Sequence, residues 1–110
     1  MPQLLLEFCS EFGRAYLSSG GPTSRLEEYL VTLARAEGYP AEVFGTPTGL
    51  FISIVDRTGT HQTTLSRIKQ FSMNLGKLCW LEGIFADISR KKITLSQGLK
   101  VLSSKKVRQP

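Results

Sequence analysis

Glycine and proline cut the first half of this 110-residue chain into short segments, and the hydrophobic period changes from one segment to the next. The cuts are Gly20-Gly21-Pro22, Gly38-Tyr39-Pro40 and Pro47-Thr48-Gly49. Proline lacks an amide donor and glycine loses the most backbone entropy on ordering, so such clusters mark ends rather than interiors. Before the first cut, Leu5, Phe8, Cys9, Phe12, Ala15 and Tyr16 recur every three or four residues, which predicts a helix over 4–18. Leu26, Tyr29, Leu30, Leu33 and Ala34 repeat the pattern up to the second cut and predict another helix. Then the period shortens. Residues 41–46 and 50–56 read as strands around the Pro47-Thr48-Gly49 turn, and Phe51-Ile52-Ser53-Ile54-Val55, apolar on both faces apart from Ser53, suits an inner strand. After Asp56-Arg57-Thr58-Gly59, the threonine-rich alternation of 61–68 suits an outer strand. Helical spacing returns near Met73 with Leu75, Leu78, Leu81, Phe85 and Ile88, and a short last helix carries Leu99 and Leu102. The order α-α-β-β-β-α-α predicts an α+β fold in two layers, a small antiparallel sheet packed against helices.

Local chemistry sharpens these boundaries. Pro22 suits the start of a helix, and Ser24-Arg25-Leu26-Glu27 and Thr94-Leu95-Ser96-Gln97 both fit a capping box. Gly76 and Gly83 lie seven apart on one helical face, where a second element is expected to approach closely. Cys9 and Cys79 fall inside apolar helical patterns and read as buried free thiols; with no second Cys or His nearby, neither a disulfide nor a metal site is predicted. One domain is expected over 1–103, followed by a frayed basic tail over 104–110.

The composition, 41% hydrophobic and 21% charged, is that of an ordinary globular protein. No run approaches the roughly 18 consecutive apolar residues of a transmembrane helix. The start carries Leu4-Leu5-Leu6 but no basic region before it, so a signal peptide is not expected and the chain alone reads as soluble. The net charge of +5 is unevenly spread: residues 1–56 hold 3 cations and 7 acids, residues 57–110 hold 11 and 2. From Arg90 onward there are seven cations and no acid. Such an end solvates a helix, contacts nucleic acid or lies against an anionic membrane surface. Aromatics are not interleaved with these cations and no nucleic-acid module surrounds them, which argues against nucleic acid as the partner.

Enzymatic signatures are missing from the pattern. There is no Gly-x-Ser-x-Gly elbow, no Walker A loop and no His-Glu-x-x-His pair, and nothing calls for a cofactor. His61, the only histidine, sits at a hairpin edge, where a solvated side chain is the plain reading. Arg25 and Glu28 stand three apart in the first turn of the second helix and can form a surface pair. Alternatively, the preceding glycines bring a helix N-terminus beside Arg25, a combination that favours a carboxylate or phosphate. Thr46 and Thr48 flank the rigid Pro47 and Gly49 turn; they serve the turn or face a polar ligand. Three readings stay open on the residues alone. One is a non-enzymatic binding site of Arg25, Glu28, Thr46 and Thr48; another is a small hydrolase of an amino-acid derivative using Ser24, Thr46 or Thr48; the third is a basic interaction module at the C-terminal end.

Taken in order, several segments resemble the N-terminal domain of the threonine/serine exporter family. They are Phe12-Gly13-Arg14-Ala15-Tyr16-Leu17, Gly21-Pro22-Thr23-Ser24-Arg25-Leu26-Glu27-Glu28 and Val43-Phe44-Gly45-Thr46-Pro47-Thr48-Gly49-Leu50-Phe51. Thr64-Leu65-Ser66-Arg67-Ile68, Asn74-Leu75-Gly76-Lys77-Leu78 and Ile93-Thr94-Leu95-Ser96-Gln97-Gly98-Leu99 follow, so the resemblance covers about residues 5–103. In that family the domain faces the cytoplasm and precedes a bundle of membrane helices that forms the permeation path. The resemblance therefore implies a non-enzymatic role at the cytoplasmic face of a membrane, in export of small amino acids or carboxylates. On this reading Arg25 contacts a carboxylate, Glu28 orients it, and Thr46 and Thr48 supply hydrogen bonds, with Gly21, Pro22, Pro47 and Gly49 shaping the turns. The membrane helices themselves are absent from this sequence. The chain is thus expected to gate, assemble or present substrate to a transmembrane region of the same or a partner protein. Its basic end, placed before that region, agrees with the cytoplasmic bias of Lys and Arg beside membrane spans. A homo-oligomer stays open.

Overall fold

The computed structural model describes residues 2–108, with side chains to residue 104. Its elements are α1 (Pro2–Ser18), α2 (Thr23–Ala36), β1 (Ala41–Thr46), β2 (Gly49–Val55), β3 (His61–Arg67), α3 (Leu75–Ser89) and α4 (Leu95–Arg108). This is the α+β order read from the sequence, with β2 in the middle of an antiparallel β1-β2-β3 sheet. The pleat separates two faces of that sheet. Leu50, Ile52 and Ile54 of β2 are fully buried and point to α1 and α2. On the opposite face the register aligns Phe44, Phe51 and Leu65 in one row across all three strands, and they are 63%, 39% and 77% exposed. The helices leave that face uncovered.

Helix α1 is the hub. Its buried residues, Leu5, Phe8, Cys9, Phe12, Gly13, Tyr16 and Leu17, form one wide face, and the sheet, α2, α3 and α4 all contact this helix. Gly13 is what lets it lie on β2: a β-carbon there would run into the Leu50 side chain and come within 3.4 Å of Leu26. Gly98 does the same for α4, where a β-carbon would stand 2.7 Å from Ile88 and 3.2 Å from Phe8. The expected pair does not. A β-carbon on Gly83 would meet nothing within 4 Å and one on Gly76 only the Asn74 side chain. Helix α3 buries Leu81, Ile84 and Ile88, which turns the glycine face outward together with Leu75, at 69% exposure, and Cys79. Cys79 is therefore exposed, contrary to expectation, whereas Cys9 is buried and desolvation pushes its thiol up to about 12.

The helix ends show which local signals prevailed. Gly20 (φ +94°) closes α1, with the Gly21 amide donating to the Tyr16 carbonyl at 2.9 Å and the Gly20 amide to Leu17 at 3.1 Å. Gly38 ends α2 in the same way. At the end of α3 the left-handed position is held by Lys91 (φ 61°), where no glycine announced it. The capping box of α4 forms as read: the Thr94 amide donates to Gln97 Oε1 at 2.8 Å and the Gln97 amide to Thr94 Oγ1 at 3.1 Å. That of α2 does not. Helix α2 starts two residues earlier than that box would place it, with Pro22 as its uncapped N-terminal flank, so Ser24 already lies inside the first turn. Helical backbone continues to Arg108, and neither glycine nor proline interrupts 99–108.

Candidate functional site

Tyr16 lies in the core and Tyr29 packs half-buried against it, and a buried phenol needs a hydrogen-bond partner. Phe8, Phe12 and Tyr16 stack along α1 with centroids 5.6 and 5.8 Å apart. Tyr29 of α2 lies flat on Phe85 of α3 at 4.5 Å and edge-on to Tyr16 at 6.0 Å. The rings bind α1, α2 and α3 together and deliver both hydroxyls to one place. Tyr16 donates to Glu82 Oε2 at 3.1 Å, Tyr29 to the same oxygen at 3.2 Å, and the Arg25 guanidinium approaches it at 3.4 Å. Burial, then the bond to the carboxylate, carries Tyr16 up to about 12, and burial with the Glu82 charge also raises Tyr29. The bond to Glu82 holds Arg25 more firmly protonated than usual. Both phenols stay neutral at physiological pH. Both therefore act as hydrogen-bond donors to the Glu82 side chain.

Arg25 thus does grip a carboxylate, but it belongs to Glu82 and not to Glu28, its expected neighbour on α2. Glu27 turns the other way and accepts the Gly45 amide at 2.9 Å, which fastens the start of α2 to the end of β1. On the β1–β2 turn, Thr46 donates to the Gly49 carbonyl and accepts the Thr48 amide, both at 3.3 Å, so its hydroxyl serves the turn around Pro47. Thr48 is exposed and lines an open groove of about 520 Å³ with Arg67 and Lys69. Among the described residues no hydrogen bond or ion pair joins Arg25 or Glu28 to Thr46 or Thr48. His61 is exposed, and its Nδ1 lies 3.2 Å from Ser53 Oγ. Ser53 is only 6% exposed, so that hydroxyl is out of reach of a substrate. Among the described residues no three His, Cys, Asp or Glu side chains come together as a metal site.

The family described as "Putative threonine/serine exporter" (ThrE) matches residues 7–109. The chain belongs to that family. No curated protein and no solved structure matches it.

The exporter-family match takes in every member of the Glu82 cluster, Tyr16, Arg25 and Tyr29 included. It also takes in Gly21 of the turn before α2, where a β-carbon would overlap the Tyr16 ring. That glycine is required by the ring lying over it, which gives the first turn motif a packing role. Sequence reasoning missed Glu82 because its partners lie 53 to 66 residues away. Two signals were present: tyrosines within core stripes, and a glutamate in the otherwise apolar middle of α3. The family is one of transporters, and no helix of the described residues is long and apolar enough to cross a membrane.

Proposed function

We propose that this chain is the part of an exporter assembly that stands outside the bilayer, on its cytoplasmic side. There it gates, assembles or presents small amino acids or carboxylates to membrane-spanning helices of the same or a partner protein. The exporter-family match over residues 7–109 carries this reading. Two features of the surface support it. The row of Phe44, Phe51 and Leu65 spans the whole sheet without cover, a surface suited to association rather than chemistry. The cations from Arg90 onward suit an anionic membrane surface nearby.

The test is recovery of the native protein from detergent-solubilised membranes, followed by export measurements. Under this reading it is recovered with membrane-spanning segments, in its own polypeptide or a partner. Leu65→Lys weakens that association or slows amino-acid export without lowering the thermal midpoint of the purified domain. Recovery from the soluble fraction alone, with export unchanged when the gene is deleted, would overturn it.

A further inference from the structure

A second part of the molecule, away from the Glu82 cluster, has the form of a ligand site. The C-terminal end of α2, the α3–α4 connection and the start of α1 enclose a half-open cavity of about 530 Å³. That volume lies in the range of small-molecule sites. Leu33 and Ile88 contribute apolar wall, and both are almost fully buried. One acid, Glu37, and one base, Lys91, line the same space, with the hydroxyls of Thr32 and Ser96 between the helices. None of these four side chains has a hydrogen-bond or ion-pair partner among the described residues. Thr94, which also lines the cavity, is engaged in the α4 capping box, as Arg25 and Thr46 are engaged elsewhere, whereas these four side chains are open to solvent and free.

We infer that this cavity binds a small zwitterion, its carboxylate on Lys91, its ammonium on Glu37 and a short side chain against Leu33 and Ile88. The charge balance of the lining selects the class. A phosphate ester would bring about two negative charges to a single lining cation, with Glu37 opposing it. A purely apolar ligand would strip water from two charges without replacing it. A zwitterion with a hydroxyl satisfies both charges and has Thr32 or Ser96 as a further partner. The inference rests on the substrate-presenting form of the proposed function and gives it a location.

The 110-residue chain, labelled with nitrogen-15, is titrated with L-threonine into the millimolar range and followed by amide chemical shifts. Saturable shifts are expected at Thr32, Glu37, Lys91 and Ser96. L-Threonine amide, which lacks the carboxylate, and N-acetyl-L-threonine, which lacks the ammonium, should each bind about tenfold more weakly or worse. Glu37→Gln and Lys91→Gly should each weaken L-threonine binding by a similar factor. Lys91→Gly relieves a left-handed backbone, so the fold is retained and lost affinity cannot be blamed on unfolding. No saturable shift in the cavity, or binding indifferent to both variants, overturns the inference. Shifts confined to Arg25, Glu28, Thr46 and Thr48 also overturn it, in favour of the contacts implied by the family resemblance. None of these failures touches the association with membrane helices, which the membrane recovery tests separately.

Discussion

Replacing Glu82 by alanine removes the one acceptor on which three donors converge, and the cost differs for each of them. Tyr16 is 1% exposed, and losing its Glu82 acceptor costs a buried hydroxyl about 1–3 kcal/mol. Tyr29 is only half-buried and can turn to solvent. The Arg25 side chain is 55% exposed, and an exposed pair of this kind is worth about 0–1 kcal/mol. Glu82→Ala should therefore destabilise the fold by about 1–4 kcal/mol, most of it through Tyr16. The sharper consequence is a change of sign. Alone, Tyr16→Phe gives up one hydrogen bond and costs about 1 kcal/mol. In the Glu82→Ala background the same change removes the stranded hydroxyl and raises stability. Glu82→Gln, which keeps an acceptor oxygen, should cost less than about 1 kcal/mol. Urea unfolding of the four proteins of the cycle measures this, with equal slopes required so that the midpoints report native-state stability. A cost for Glu82→Ala below about 0.5 kcal/mol would refute the reasoning, since the buried phenol would then need no acceptor. An equal loss from Tyr16→Phe in both backgrounds would do the same.

Three further outcomes are expected. Lys91→Gly relieves a left-handed residue, which costs about 1–2 kcal/mol, and gives part of it back as unfolded-chain entropy; the thermal midpoint should rise by about 2–4 °C, and a fall would show that the lysine stem packs usefully. A thiol-disulfide reagent at neutral pH should titrate Cys79 at once and Cys9 only after denaturation, with Cys79→Ser abolishing the fast phase; two fast thiols would contradict the burial of α1. Stability should also fall in alkali. Cys9 is raised from 9.0 and Tyr16 from 10.0, each to about 12, so both stay protonated in the fold after the unfolded chain has lost their protons. Their contribution is whole below pH 9 and declines up to about pH 12, and Tyr16→Phe should remove the part above pH 10; a urea midpoint constant from pH 8 to pH 11 would contradict this.

The element order was legible because it depends on neighbours in the chain. Gly20, Gly38 and the Thr94–Gln97 box act within a turn or two of themselves, and each did in the fold what its residue type dictates. The failures share a cause of another kind. Ser24 and Glu27 fit a capping box locally, yet a backbone amide 18 residues on, at Gly45, took the carboxylate. Gly76 and Gly83 have the spacing of a packing face, but the partner that needed glycine was at Gly13 and Gly98. Cys79 sits in a helix apolar around most of its circumference, where the pattern could not say which side faces the core.

The candidate sites divide along the same line. Residue type alone left Arg25 open to a surface pair with Glu28 or to a carboxylate or phosphate, and left Thr46 and Thr48 to serve a tight turn or face a polar ligand. Which carboxylate, and what the turn would face, depended on how α3 settles against α1 and α2, and the aromatic contacts that govern this join residues far apart in the chain. The cavity between Glu37 and Lys91 had no sequence signature at all, for it is bounded by the ends of elements that meet only on folding. Periodicity and turn chemistry are written into adjacent residues; the convergence of distant side chains is set by packing, where a missing β-carbon or a stacked ring chooses among partners the chain presents equally.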